Sequence, residues 1–322
     1  MRKLIVPVIV ALIATVTAVV ASATPRGTNG EIAFSRFNAS LGDTQVWVVN
    51  PDGSNEHLVQ GSTDTGECPT WSPNGTRIAT CGDMTGGASR LINPDDGSFR
   101  VVPSPDPSLF TPCAWWINAG SRLICETFSD DGGQNGLHSL RSSDGGGFTT
   151  LTSVPGGDDV PGDASPDGKK FVFVRYDSTG EVGMFVVNTS NGRLTQILPG
   201  GMNLSSAGNW SPNGNDIVFS QHVTPDAHSS LWVVHADGSG LHEINVSPSG
   251  ACGGLNSDPS ADGCFSPAWS PDGTKIVFGK GKSSDVDAQV FTINLDGSGL
   301  TQITHGTGGA GSPDWGIHPP TH

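Results

Sequence analysis

Beyond its first twenty residues, the sequence lacks the three- and four-residue apolar spacing that amphipathic helices need. Charged residues make up only 15% of the chain, whereas glycine occurs 45 times and proline 23 times. Such a composition disfavours helices as major elements and is typical of short strands joined by turns. The sequence therefore predicts an all-β protein.

Several motifs that carry chemistry are also missing. No Gly-x-Ser-x-Gly segment offers the nucleophile of a serine hydrolase, and no glycine-rich loop leads into a helix that would hold nucleotide phosphates. His242-Glu243 starts like a zinc-protease helix, but Val246 stands where the second histidine belongs. Cys-x-x-Cys knuckles are absent too, which disfavours a zinc site. None of these chemistries has an anchor in the sequence.

Positive charge is scarce as well. Lysine and arginine number 16 against 31 aspartates and glutamates, so the formal net charge is −15. No basic stripe with interleaved aromatic residues is present, and an acidic surface repels phosphate backbones. We therefore expect no nucleic-acid partner, whereas cationic partners and metal ions stay open.

The N-terminus differs from the rest of the chain. Arg2 and Lys3 precede an apolar run, Leu4–Val20, and Ala21-Ser22-Ala23 has the small-x-small pattern of a signal-peptidase site. We expect a signal peptide over residues 1–23 and secretion to the periplasm, cell envelope or exterior, with no membrane insertion after cleavage. An uncleaved anchor is the alternative, because the run is barely shorter than a membrane span.

The cysteines fit an exported protein. An even number of cysteines in an oxidising compartment indicates disulfides, and their close spacing favours local pairs. The expected pairs are Cys68 with Cys81, Cys113 with Cys125, and Cys252 with Cys264.

The sequence is rich in one repeated signature, Trp-Ser-Pro-Asx-Gly. Its tryptophan slot is occupied in turn by Trp71, Trp116, Ala164, Trp210, Trp269 and Trp315. The copies at Trp116 and Ala164 are degenerate, and the last one is truncated. The slots are 45, 48, 46, 59 and 46 residues apart, a period typical of propeller blades.

Each repeat has the strands and turns of one blade. In the sixth unit, Ser266–Thr304, a strand ending at Trp269 is followed by a Ser-Pro-Asp-Gly turn and three further short strands. The first unit starts at Glu31 with a second strand, and Trp315 ends a first strand that nothing follows. Joined, these halves complete one blade. We therefore predict a single domain, residues 24–322, folded as a six-bladed β-propeller of four-stranded antiparallel blades, closed by pairing the C-terminal strand with the first blade.

The repeat resembles that of the TolB-type propeller family, a relative of the WD-type repeats. Pro267–Phe278 reproduces the family hallmark Pro-x-Trp-Ser-Pro-Asp-Gly-x-x-Ile-x-Phe, and Pro69–Ile78 nearly does. The resemblance covers about Gly30 to Trp315 and is specific for the fold but not for a function. Similar propellers occur in the periplasmic TolB component of the Tol–Pal envelope system, after an α/β domain, and in front of serine peptidase domains. Here we expect a stand-alone exported propeller.

In such a propeller the Trp-turns and the third-to-fourth strand turns share one face, which we call the turn face. The opposite, variable face carries the second-to-third strand loops and the connections between blades, and function is expected there. We expect the tryptophans to pack between blades. Aspartates occur in every second-to-third strand loop, namely at Asp43, Asp83, Asp130, Asp131, Asp177, Asp226, Asp285 and Asp287.

The candidate binding residues near the channel mouth and on the variable face are Asp64, Glu67, Asp158, Asp159, Asn203, Asp226, His222 and His228. Converging oxygen ligands at Glu67, Asp159 and Asn203 would suit calcium. The alternative is that the loops of an acidic exported protein are simply rich in aspartate. His222, Asp226 and His228 likewise form either a transition-metal trio or a solvated loop. The insertion 247–264 is either a recognition element or a tolerated surface loop.

Two functions follow from these features. The favoured one is an exported, non-catalytic binding scaffold that engages an envelope or extracellular protein or glycan through its variable face, with no certain cofactor. The alternative is a calcium-dependent propeller enzyme of the lactonase or hydrolase kind, with a metal in its channel.

Overall fold

The computed structural model describes residues 26–62, 68–81, 89–222, 229–246, 252, 262–281 and 287–320. In these residues the chain forms six antiparallel sheets in a ring, and the one helical element described is the short 3₁₀ turn Asn118–Gly120. No helix in this part of the chain is long and apolar enough to cross a membrane. The predicted leader and the candidates Asp64, Glu67, Asp226 and His228 lie outside the described residues.

Blades 1 to 3 contain the first twelve strands and the last one. Blade 1 consists of β1 (Ile32–Asn38), β2 (Asp43–Val49), β3 (His57–Leu58) and β25 (Ala310–Trp315). Blade 2 consists of β4 (Thr70–Trp71), β5 (Ile78–Thr80), β6 (Arg90–Ile92) and β7 (Phe99–Val101). Blade 3 contains β8 (Leu109–Phe110), β9 (Cys113–Ile117), β10 (Arg122–Ser129), β11 (Gly136–Arg141) and β12 (Thr149–Thr150).

Blades 4 to 6 have four strands each. Blade 4 consists of β13 (Asp158–Ala164), β14 (Lys170–Asp177), β15 (Gly180–Asn188) and β16 (Leu194–Pro199). Blade 5 consists of β17 (Asn209–Trp210), β18 (Asp216–His222), β19 (Ser229–His235) and β20 (His242–Glu243). Blade 6 consists of β21 (Gly263–Trp269), β22 (Lys275–Gly281), β23 (Gln289–Asn294) and β24 (Thr301–Gln302).

The two ends of the chain close the ring as predicted. β25 pairs antiparallel with β1, with Trp315 opposite Ile32 and Ala310 opposite Arg36. The all-β, six-bladed architecture and its closure by the C-terminal strand are therefore confirmed. This pairing completes blade 1 with the inner strand that its own sequence lacks.

The tryptophan slot packs between blades, as expected. Each slot side chain contacts the core of the blade before it: Trp71 lies against Val46 and Val48, and Trp210 against Val172 and Met184. In blade 4, Ala164 is accompanied by Phe171 and Phe173, which fill the same seam against blade 3. The three predicted disulfides are present, and they join Cys68 to Cys81, Cys113 to Cys125 and Cys252 to Cys264.

Some local expectations were wrong. Asp43 begins β2 and Asp177 ends β14, so neither lies in a loop. β14 and β15 are joined through only Ser178 and Thr179, which makes this connection a hairpin turn. Ladder pairing extends to the ends of long strands, so the acidic side chains are held at sheet ends instead of on mobile loops.

Residues 316–320, which we call the C-terminal tail, complete the turn face. In three Trp-turns the closing glycine packs on the proline of the preceding blade, as Gly214 does on Pro166, where an added Cβ would lie 3.5 Å from the ring. Blade 1 has no such turn. Its place beside Gly75 is taken by His318, whose backbone N would lie 2.9 Å from an added Cβ. The tail therefore substitutes for the missing turn.

Candidate functional site

The inner strands of all six blades surround an axial cavity of about 180 Å³. The residue immediately before the tryptophan slot lines this cavity in every blade. From blade 1 to blade 6, these residues are Asp314, Thr70, Trp115, Asp163, Asn209 and Ala268. Both carboxylates in the lining, Asp163 and Asp314, thus come from equivalent positions of blades 4 and 1.

Four of these six side chains form hydrogen bonds to the inner strand of a neighbouring blade, namely those of Asp314, Thr70, Asp163 and Asn209. Asp314 Oδ2 accepts from the Trp71 backbone N–H at 2.6 Å, and Thr70 Oγ1 donates to Ala114 O at 2.6 Å. Asn209 donates from Nδ2 to Asp163 Oδ2 at 2.8 Å and accepts at Oδ1 from the backbone N–H of the next tryptophan at 2.9 Å. The polar side chains of the channel therefore fasten neighbouring blades together.

Asp314 is partly buried, and its environment shifts its pKa in two opposing directions. Burial raises the pKa of Asp314 to about 6, while hydrogen bonds from the backbone N–H groups of Trp71 and Trp315 oppose this effect. A carboxyl group this deep in the ring persists because it satisfies backbone donors that would otherwise lack partners. In the sequence, the signal for this role in joining blades is a polar residue immediately before the tryptophan slot, which occurs in four of the six repeats.

Asp159, one of the predicted binding residues, lies on β13, the inner strand of blade 4, and its side chain is held in place. The side chain of Arg175 donates from Nε to Oδ1 and from Nη2 to Oδ2 of Asp159, each at 2.7 Å. Thr152 Oγ1 donates to Oδ2 at 2.5 Å, and Asp159 has no exposed surface. A calcium ion bound by Asp159 would have to displace Arg175 from this bidentate ion pair.

Asp158, the neighbouring candidate, faces a glutamate that the sequence analysis did not select. Glu126 of β10 lies across the seam between blades 3 and 4 and shares a hydrogen bond with Asp158. Burial first, and then the charges of Asp158 and Asp159, raise the pKa of Glu126 to about 9. Burial also raises the pKa of Asp158, against the hydrogen bond from Glu126. The two carboxyl groups thus share one proton and titrate as a pair.

The signal that could have found Glu126 is its position in the repeat. Leu123 is the residue of β10 that pairs with the slot residue Trp116, and Glu126 lies three residues after it. The equivalent residues of the other blades are Ser35, Cys81, Val174, Ser220 and Gly279. These five residues are small or apolar because the position faces the next blade. An acid at such a position predicts a polar partner across the seam.

Two further candidates, Asn203 and His222, lie together where blade 4 leads into blade 5. The His222 backbone N–H donates to Asn203 O at 2.9 Å. Glu181 fixes this connection, since its carboxylate accepts from the backbone N–H groups of Met202 at 2.9 Å and Leu204 at 2.7 Å. Within the described part of the chain no group of three His, Cys, Asp or Glu side chains suits a metal ion. Glu67 lies outside it, so the calcium trio stays a prediction.

Three cations near the variable face, within the residues that the structure describes, are paired with acids. Arg36, Arg175 and Lys280 occupy the same position near the end of the second strand of blades 1, 4 and 6. Their partners are Glu56, Asp159 and Asp262, respectively. Each cation also lies over an aromatic ring of its own blade, 5.1 Å from Trp47 in the case of Arg36. Neither Glu126 nor Asp158 is among the partners of these three cations.

Comparison with known proteins gives the same fold. No model of a known protein family matches the chain. An uncharacterised protein of Agrobacterium fabrum is 24% identical over 297 residues, which cover 84% of this chain and 88% of the relative. A TolB homolog of Chlorobium luteolum is 26% identical over 159 residues, 49% of this chain, and the match spans only 31% of that relative's length.

Among solved structures, TolB from Acinetobacter baumannii matches with a TM-score of 0.68 at 17% identity, over 91% of this chain and 67% of its own. The putative TolB of Agrobacterium tumefaciens matches with a TM-score of 0.62 at 21% identity, over 88% and 92%. The chain therefore has the six-bladed β-propeller fold of these solved TolB structures. In this propeller, the tryptophan repeat forms the blade seams, and the acidic pair Glu126 and Asp158 lies at one of those seams.

Proposed function

We propose that this TolB-like propeller is an exported, non-catalytic scaffold that binds a protein or glycan of the cell envelope through its variable face. The predicted leader and the three disulfides support an oxidising location outside the cytoplasm. TolB-like structure supports a binding role, because a ring of rigid blades presents its loops on a fixed frame.

The observation that carries the proposal is the acidic pair Glu126 and Asp158 in the seam between blades 3 and 4, which we call the acidic mouth. Glu126 and Asp158 are partly buried carboxyl groups side by side, next to the fixed Asp159–Arg175 pair. A partner that places a lysine or arginine there would relieve the repulsion between the two carboxyl groups and allow both to ionise. The net charge of −15 adds long-range attraction for such a partner. We therefore favour a partner with a basic segment.

Partner capture with matched variants tests this. The leaderless chain is immobilised and exposed to envelope extract of the producing organism, in parallel with Asp158→Asn and with Asp237→Asn, an exposed turn-face aspartate. We expect one partner to be retained by the wild type and by Asp237→Asn, and at least fivefold less by Asp158→Asn. Equal retention by all three proteins would rule out the acidic mouth, and circular dichroism verifies that each variant is folded.

The calcium-dependent alternative predicts a different result. A channel site with a Kd near 10 µM would add about 3 kcal/mol at 1 mM calcium, which corresponds to a rise in melting temperature of about 5–10 °C. For a scaffold without this metal we expect a shift of less than about 1 °C on adding calcium or EDTA. Differential scanning fluorimetry, with magnesium as the control, measures this shift in melting temperature. A calcium-specific rise would favour the enzyme alternative.

A further inference from the structure

The axial cavity of about 180 Å³ has a carboxylate on each of two opposite sides. Asp163 and Asp314 both line it, from the position immediately before the tryptophan slot in blades 4 and 1. The inner strands of consecutive blades are neighbours all the way round the ring, so blades 1 and 4 lie opposite each other. The two carboxylates are therefore held apart, at the same level of the ring, with the cavity between them.

The described residues that line the cavity include no lysine, arginine or histidine. Asp314 accepts hydrogen bonds from the backbone N–H groups of Trp71 and Trp315, and both donors are uncharged. Because a carboxylate offers about four lone-pair sites, it can accept further hydrogen bonds. The negative charge of this partly buried group therefore favours a ligand that brings a cation.

The wall between the two carboxylates offers apolar surface. In blade 3 the position of Asp163 and Asp314 is occupied by Trp115, whose indole is larger than the side chain at this position in any other blade and is partly exposed. Pro267 and Ala268 of blade 6 line the other side. An aromatic face packs on methylene groups and also attracts an ammonium group.

The cavity has room for a short chain molecule. A cavity of about 150 Å³ holds one benzene molecule, and the axial cavity is slightly larger, at about 180 Å³. A diamine with about five methylene groups has nearly as few heavy atoms as benzene, so a molecule of this size fits. Its charged ends and apolar middle match the order of carboxylate, apolar wall and carboxylate across the ring.

We propose that the axial cavity binds a short aliphatic diamine in its doubly protonated form. One ammonium group binds Asp314 and the other binds Asp163, while the methylene groups pack on Trp115. The net charge of −15 attracts such a dication from solution. The acidic mouth contributes no residue to the described lining, so this site is separate from it and goes beyond the scaffold function.

Saturation-transfer NMR of the leaderless chain with 1,5-diaminopentane tests the proposal. Because burial raises the pKa of Asp314 to about 6, this carboxyl group is ionised at pH 8, where the titration is made. We expect a Kd of about 1 mM or tighter, and at least about tenfold weaker binding of 1,5-pentanediol, the uncharged molecule of the same length. Asp314→Asn and Trp115→Leu should each weaken binding of the diamine at least about fivefold. Asp237→Asn removes the same charge from the turn face and is the matched control, which should bind like the wild type.

Four results would overturn the proposal. They are no binding of the diamine, equal binding of the diol, the wild-type affinity in Asp314→Asn or in Trp115→Leu, and displacement of the diamine by calcium at an equal concentration, which would indicate a general cation site. Asparagine keeps an oxygen that can accept from the Trp71 backbone N–H, and melting temperatures show whether each variant is folded. If Asp314→Asn does not fold, Trp115→Leu decides. Partner capture by Asp158→Asn is scored separately, so either proposal can fail without the other.

Discussion

We expect that ending the chain after Trp315 lowers its melting temperature by about 10 °C, although β25 is kept whole. The tail continues the pairing of β25 with β1: Gly316 N–H donates to Glu31 O at 3.1 Å, and the Gly30 and Glu31 N–H groups donate to Gly316 O at 3.0 Å and His318 O at 2.8 Å. Three such hydrogen bonds contribute about 1 kcal/mol each. With about 2–4 °C per kcal/mol for a domain of this size, their loss alone accounts for most of the effect.

His318 supplies the rest. Its ring lies parallel to the indole of Trp71, with centroids 5.1 Å apart and an interplanar angle of 12°, and its Nδ1 donates to Gly75 O at 2.8 Å. His318→Ala should therefore reproduce about a third of the loss, on the order of 1 kcal/mol from the hydrogen bond and the stacking. His305→Ala, at an exposed position, is the control. Calorimetry of the truncated chain measures its melting temperature. A value equal to that of the full chain would show that the tail does not substitute for the missing turn.

We expect Glu126→Gln to make the free energy of unfolding less dependent on pH between pH 7 and pH 9. The pKa of Glu126 is raised from 4.5 to about 9 in the folded state, mainly by burial. Between these values the folded chain keeps a proton that the unfolded chain releases, so stability falls as the pH rises. One such proton costs the wild type about 1.4 kcal/mol per pH unit, on the order of 2 kcal/mol over this window. The glutamine keeps the size of the side chain and cannot ionise.

Urea unfolding at pH 7, 8 and 9 measures this difference. Asp314 contributes little to the slope there, because its pKa of about 6 lies below the window. Asp130→Asn, an exposed acid in the turn after β10, is the control and should keep the slope of the wild type. If Glu126→Gln also kept that slope, Glu126 would have to be ionised in the folded protein, and the shared proton with Asp158 would be wrong.

The features that could be predicted from the sequence are local or periodic. The Trp-turns mark the blades because proline and glycine set the backbone of a turn wherever they occur. The half units at Glu31 and Trp315 predicted the closure, which the pairing of Ile32 with Trp315 confirms. Disulfides between cysteines 12 or 13 residues apart were predictable for the same reason, since a hairpin brings such residues together.

Side-chain pairs between strands and across seams could not be predicted in this way. Asp159 was selected as a possible ligand, but its partner Arg175 lies on the neighbouring strand and faces the same seam, which only the register of β13 and β14 determines. Glu126 was overlooked because nothing in its own strand shows that Asp158 lies opposite. A one-residue change of register would turn either side chain to the other face of its sheet.

The sequence by itself determined the number of blades, the closure of the ring and the cysteine pairs, because each depends on short-range turn and hairpin geometry that recurs along the chain. Only the tertiary structure decided which acids share a proton, which ones fasten neighbouring blades, and which ones line the axial cavity. These outcomes depend on side chains that meet across the seams from positions far apart in the chain, and their ionisation is set by the burial that the closed ring imposes.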